Sequence, residues 1–389
     1  MEKSIIRTCK LGAFFLSACT NLLAPLLLAI RAEFSLNTAM SGALLTAFFA
    51  GNFALCFFSG RLLNRFSKGH CLCVAVTIMT LSCFGVAVSP SFPVLWAGLF
   101  LMGACTIVMQ VATNAIATGL AQQGAASHVA GITAFNGLGA CAGLLFAGQC
   151  VSLGFSWRMV YILFGLCSIV ATVLCWKTKF IPMPQQDAGH FRDLYTLVSD
   201  RRILPFFLCL LLYSGSETSI CNWLVTYAVE NRGFTTFAGS ILTALIWLFV
   251  FVGRMACSEA SKRVPARWIL SGLMPVAAVT TLLIPQLSQI GIWAAVVVLG
   301  LALSGIWPML ASELLRIGGY DQSVTLSTAF LFSFCGNTVI PYGIGQIAEF
   351  QTMPIAILSI GGIFAGLFFF FLFAAHRPCV RKVSNQSGS

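Results

Sequence analysis

Charge is what this chain has least of. Asp, Glu, Lys and Arg together make up 8% of its 389 residues, where a soluble globular domain carries roughly a quarter, so a water-facing surface of ordinary size is excluded. Acids are the scarcer sign, 11 against 22 Lys and Arg. Histidine occurs only at His70, His128, His190 and His376, far apart in sequence, and Cys71 and Cys73 lack the spacing of a zinc site, so no bound metal is expected. No hydrolase-like triad stands out. Gly137-x-Gly139 with Gly143 follows no strand and lies in an apolar run, which makes it a helix-packing pattern rather than a phosphate loop. The chain is therefore not read as an enzyme, and no cofactor is expected.

Apolar surface is what it has in abundance: 58% of residues are hydrophobic and the mean hydropathy is +0.92. Runs of the ~20 apolar residues needed to cross a hydrocarbon core recur along the whole length, which predicts an all-α polytopic membrane protein rather than a barrel. The net charge of +11 does not point to nucleic acid, because Lys and Arg fall almost wholly in short connections between the runs. The 16 cysteines are scattered, mostly inside spans as at Cys83, Cys105, Cys141 and Cys167, and read as small buried hydrophobes. Lys3, Arg7 and Lys10 ahead of an apolar run look like a signal peptide, but a second span follows at once and no small-residue cleavage site appears. That segment reads as an uncleaved first helix.

Bounded by charge, Pro or Gly, the runs predict twelve helices, at about 9–30, 40–60, 71–88, 92–118, 128–150, 157–176, 204–228, 238–258, 267–285, 290–315, 323–347 and 353–374. The expected organisation is a six-helix bundle over 1–176, a polar cytoplasmic linker over 177–203, a second six-helix bundle over 204–376 and a tail over 377–389. With both termini in the cytoplasm, all of the Lys and Arg residues except Arg31, Arg158 and Arg232 fall on the inner side, as the positive-inside rule requires. Gly60-Arg61 recurs as Gly253-Arg254, and Thr133-Ala134-Phe135 as Thr328-Ala329-Phe330, at nearly one offset. Two parallel repeats of this kind place a substrate between them near the midplane.

One acid lies deep in a span. Glu217, about 13 residues into the seventh helix, sits about 20 Å along it at 1.5 Å per residue, where a carboxylate costs about 2.5 to 3.5 kcal/mol on insertion scales and is a functional candidate by default. It can accept two hydroxyls at once, and a carboxyl in a low-dielectric cavity can take up a proton. Thr106, Gln110 and Asn114, spaced by four, form one polar stripe of the fourth helix. Asn21 occupies the place in the first helix that Glu217 occupies in the seventh. Asn136 and Asn337 are further candidates in the fifth and eleventh helices, against the competing role of interhelical hydrogen bonding. Tyr213 and Trp307 lie deep enough to stack on a sugar ring. Trp223 and Tyr227, nearer a helix end, are expected to anchor at the membrane interface. Glu313 and Arg316 are expected to form an end-of-helix charge pair.

These residues resemble the major facilitator superfamily across essentially the whole chain. The segment Gly60 to His70, GRLLNRFSKGH, is similar to its signature between the second and third helices, with Asn64 in place of the signature Asp and Ser67 in place of Gly. Within the superfamily the resemblance is to the fucose, galactose and glucose permease group. It is carried by Tyr213-x-Gly215-x-Glu217 with Trp223 and Tyr227, by Gln110 to Asn114, by Phe135 to Gly139, by Gly305 to Pro308 and by Gly336 to Gly345 around Pro341. The proton-coupled pattern of that group has one acid in the first helix before a proline and one in the fourth, four residues before an asparagine. Asn21 and Gln110 stand there in this chain, and amides release no proton near neutral pH.

The expectation is a secondary transporter of the bacterial inner membrane that works by alternating access. Its solute would be small, neutral and hydroxyl-rich, such as a sugar, since no Lys or Arg falls mid-span. The expected site comprises Asn21, Gln110, Asn114, Asn136, Tyr213, Glu217, Trp307 and Asn337. Symport of protons would run through Glu217, the alternative being facilitated diffusion. Efflux of hydrophobic or cationic compounds and a non-transporting solute receptor are the competing functions. A monomer in the lipid bilayer is expected.

Overall fold

A computed structural model describes residues 2–120, 125–181, 191–317 and 320–375. In chain order the helices are α1 (Glu2–Glu33), α2 (Thr38–Arg65), α3 (Lys68–Ala87), α4 (Phe92–Leu120), α5 (Ala125–Ser152), α6 (Trp157–Lys177), α7 (Phe191–Ser199), α8 (Leu204–Arg232), α9 (Thr236–Ala260), α10 (Ala266–Leu283), α11 (Gln289–Leu303), α12 (Ile306–Ile317), α13 (Gln322–Phe350) and α14 (Met353–Ala375). Twelve stretches are long and apolar enough to cross a membrane, with α11 and α12 together forming the tenth. The Gly60, Arg61 and Asn64 side chains lie outside what is described, as do His128, His190 and His376.

Short polar links set the helix starts. Asn37, Ser67, Ser156, Thr235 and Ser288 each accept a hydrogen bond from a backbone N–H three residues on, which satisfies a donor the helix cannot. Gly233, at φ 69°, closes α8 in the left-handed conformation that glycine adopts without a Cβ clash. Two features depart from the sequence reading. The stretch expected to be a polar linker contains α7, a nine-residue helix. The tenth span, expected to be continuous, is interrupted at Ser304–Gly305, with Pro308 just beyond, whose missing N–H denies Ser304 its ladder bond.

The first six and last six spans pair alike. Helix α1 packs on α5, α2 on α4 and α3 on α6. In the second set α8 packs on α13, α9 on α11, and α10 on α14. This is the repeat that the Gly-Arg and Thr-Ala-Phe matches indicate. Small residues allow the backbones to touch, as packing within a membrane favours. A Cβ on Gly51 would run into Phe100 O of α4, and one on Gly103 into Phe48 O of α2. At the α8–α13 crossing a Cβ on Gly336 would strike Leu211 O.

The two sets meet through α2 with α13, α5 with α9, and α1 with α8. On the face of the bundle opposite the N-terminus, Thr38 N–H donates to Glu349 Oε2 at 2.7 Å and Arg31 pairs with Glu230 at 2.8 Å. Further in, Thr46 Oγ1 donates to Thr338 O at 3.2 Å and the Cys141 thiol to Ala244 O at 3.4 Å. These contacts occupy the opening third of α2 and the closing half of α5, so they close the far face of the bundle.

On the N-terminal face, Asp200 pairs with Arg202 at 2.7 Å and accepts from Tyr320 Oη at 3.1 Å, tying the end of the linker to the connection before α13. The Arg202 hydrogen bonds hold the Asp200 carboxyl down to about 2. A depressed carboxyl contributes stability that is complete above its unfolded value near 3.9 and is lost as pH falls through about 2. Pepsin cleavage near residue 200 should therefore rise between about pH 4 and pH 2, and Asp200→Asn, cleaved alongside, should show no such step. A second prediction concerns packing. Gly336→Ala should destabilise the protein by about 1–3 kcal/mol through overpacking, while Gly343→Ala, where nothing lies within 4 Å, should unfold like wild type in the same denaturation experiment.

Candidate functional site

Helix α8 carries the buried acid. Tyr213 and Glu217 are one turn apart, so their side chains share a face, and their oxygens are 2.8 Å apart. Tyr213 is fully buried, and its hydroxyl also lies 2.7 Å from Leu303 O, the last carbonyl of α11 before the break. Glu217 and the adjacent Thr218 keep part of their surface exposed, while Ser216 before them and Ser219 after them are buried. A partly exposed carboxylate in the middle of a bundle faces a polar internal space rather than lipid.

Helix α9 brings Arg254 to the same place. The sequence puts this residue at the end of a span, but α9 continues to Ala260, and the Arg254 guanidinium interacts electrostatically with both Glu217 and Tyr213. Its Nε is buried without a hydrogen-bond partner. The neighbouring Gly253 packs on Ser304, and Cys257 Sγ lies 3.6 Å from Ser304 Oγ, so this face of α9 abuts the break in the tenth span. Sequence reasoning missed Arg254 because the Gly-Arg pair reads as a boundary. The only signal available was that apolar and small residues continue beyond it.

Two other candidates form hydrogen bonds of their own to α13 and α8. Trp307 Nε1–H donates to Ser333 Oγ at 3.0 Å, and its ring tilts against Phe330 with centroids 4.8 Å apart. Asn337 lies 3.0 Å from Thr218 Oγ1. With its amide nitrogen turned inward, it donates to Thr218 Oγ1, to Ser214 O at 2.8 Å and to Ser333 O at 3.2 Å. That many bonds to α8 make Asn337 a tie between α13 and α8.

The amides of the first six spans form a separate group. Asn136 Nδ2 donates to Gln110 Oε1 at 3.5 Å between α5 and α4, and Asn136 Oδ1 is buried with no partner. Gln110, Asn114 and Asn136 are all partly exposed. Thr106, on the same stripe, is instead buried and donates to Asn52 Oδ1 of α2 at 3.4 Å. Asn21 is buried and bonds within its own helix, donating to Ser17 O at 2.9 Å. Among the described residues no hydrogen bond links Asn21 or Asn114 to the other candidates.

Trp223 and Tyr227 correct an expectation. Neither is an interface anchor; both are fully buried, because their face of α8 packs inside the bundle. Trp223 Nε1–H donates to Pro341 O at 3.1 Å and the Tyr227 hydroxyl accepts from Arg232 Nε at 2.6 Å. Glu313 and Arg316 do pair, at 2.8 Å. Among the described residues no group of three His, Cys, Asp or Glu side chains is placed to hold a metal.

Twelve spans in two like-paired sets have the shape of a transporter, and the model of the Major Facilitator Superfamily matches residues 11–316. The chain belongs to that superfamily. This major facilitator protein is 23% identical over 333 residues to "Membrane protein MosC" of Rhizobium meliloti, covering 85% of this chain and 80% of that one. Among solved structures it resembles a bacterial homologue of the human lysosomal transporter Spinster, in an inward-facing and unoccupied conformation. The TM-score is 0.83 at 14% identity, over 96% of this chain and 97% of that one. The nucleoside transporter NupG gives 0.81 at 14%, over 95% and 99%. The E. coli fucose:proton symporter FucP gives 0.64 at 19%, over 96% and 100%.

The buried tryptophan separates a structural role from a solute-binding one. Trp223→Phe removes one donor from Pro341 O and should cost about 1 kcal/mol of stability in a denaturation series, with no change in the solute concentration that half-saturates transport.

Proposed function

We propose that this major facilitator transporter moves a small, neutral, hydroxyl-rich solute of the sugar class, coupled to protons through Glu217. The observation that carries the reading is the amide pair Gln110 and Asn136, whose buried, unpartnered Asn136 oxygen would accept from a solute hydroxyl. A buried acceptor left without a donor is unusual in a native structure. The second group supports the choice of a neutral solute. Arg254 and an ionised Glu217 offset one another, so together they present no net charge, which disfavours a permanently charged cargo of either sign. The Trp307 and Phe330 rings offer apolar faces of the kind a pyranose can stack on. The name of FucP supports the solute and ion classes by fold likeness alone.

In this reading the bundles over 1–176 and 204–376 rock about the site between them, opening alternately on the two faces. The concentration of Lys and Arg on the terminus-bearing face supports an orientation with both termini in the cytoplasm of a bacterial cell, in the inner membrane. Asn21 and Asn114 fall to the same proposal as solute contacts reached in another state of the cycle.

Proteoliposomes test it. A labelled hexose should enter saturably, an inward proton gradient should raise its accumulation, and Glu217→Ala should cut that accumulation at least about tenfold, the loss of a charge-assisted contact. Uptake unchanged in Glu217→Ala would overturn the role of that residue. Transport of organic cations without sugar would overturn the solute class, and calorimetric sugar binding without flux would identify a receptor.

A further inference from the structure

The Tyr213 hydroxyl has one hydrogen and two acceptors within reach. Its oxygen is 2.8 Å from Glu217 Oε1 and 2.7 Å from Leu303 O, and both partners accept when the carboxyl is ionised. Leu303 O closes α11 at the Ser304–Gly305 break, and α12 resumes at Ile306. A carbonyl at such a break, away from water, needs a donor from outside the helix. One hydrogen cannot serve both.

We propose that Tyr213 is a positioning residue that makes the break in the tenth span answer to the protonation of Glu217. With the carboxyl protonated, its O–H donates to Tyr213 Oη and the tyrosine hydrogen goes to Leu303 O, so all three groups are satisfied and the break is capped. With the carboxyl ionised, the tyrosine hydrogen turns to the stronger, charged acceptor. Leu303 O then loses its donor, and α12 is freed to pivot against α11. No bond other than these hydrogen bonds changes, and the proton comes from solvent.

The surroundings allow such a switch. The charged and titratable groups that act on this pair are Arg254 from α9 and Cys221 from α8 itself. None from α1, α12, α13 or α14 acts on Glu217 among the described residues. Proton gain or loss at Glu217 changes the charge of the cluster by one. The packing of Gly253 and Cys257 against Ser304 brings the same helix to the hinge.

The proposal rests on reading Glu217 as the proton-exchanging group but needs no solute for its test. Amide hydrogen exchange over 303–312, corrected for the chemical rate, would be followed with pH in the full-length protein. Wild type should slow about fivefold as the carboxyl protonates, the weight of one hydrogen bond. Glu217→Gln, uncharged at every pH and able to donate its amide N–H to the tyrosine oxygen while the tyrosine hydrogen stays on Leu303 O, should be slow at every pH. Tyr213→Phe should be fast at every pH. A pH step that persists in Tyr213→Phe would overturn the proposal. So would Glu217→Gln exchanging like wild type throughout, and that comparison stands even if Tyr213→Phe does not fold. If sugar uptake fails while the step is present, the function reading falls alone. Proton-driven uptake without the step sinks only the switch.

Discussion

A carbonyl left open inside a membrane has no water to turn to, and that constraint organises the centre of this protein. The tenth span cannot continue through Ser304 and Gly305, and Pro308 withholds one of the donors that would mend it. The repair comes from another helix, in the Tyr213 hydroxyl. Because Tyr213 is one turn from Glu217, the repair of a backbone defect and the one deep acid of the chain are held in a single contact. Gly253 and Cys257 press the face beside Arg254 against the same break, so α8, α9 and α11 meet there.

The rest of the bundle packs around this centre as two sets of helices. Pairs within each set cross at glycine, where backbones touch and little motion is available. Contacts between the sets lie on the far face, through Thr38 with Glu349, Arg31 with Glu230 and Thr46 with Thr338. Between the sets α2 and α13 also cross at glycine, Gly42 against Gly345, as closely packed as pairs within a set. The amide pair Gln110 and Asn136 sits on one side of that divide and the charged group on the other, so a solute touching both would feel the relative position of the two sets.

How much of the site was legible in advance varies residue by residue. Glu217 stood out because a lone carboxylate in an apolar run is costly whatever surrounds it. Gln110 stood out through the four-residue spacing of its stripe, yet Thr106 on that stripe turned out to serve α2, since a step of four in a helix of 3.6 residues per turn drifts around the axis. Trp223 and Tyr227 were misplaced at the interface because nearness to a helix end says nothing about which face is covered. Arg254 is missed because the Gly-Arg pair reads as a span boundary, whereas α9 continues past it to Ala260.

The sequence by itself determined the class: hydropathy and the length of the runs dictate twelve spans, since a bilayer admits few other ways to satisfy the backbone, and the offset repeats dictate that the spans come as two like sets. Tertiary structure alone decided which polar groups meet. Whether Asn337 is a tie or a ligand, and whether Tyr213 serves its own helix or a break 90 residues away, depends on helix rotation and crossing. Those are set by packing among distant residues, and no local spacing encodes them.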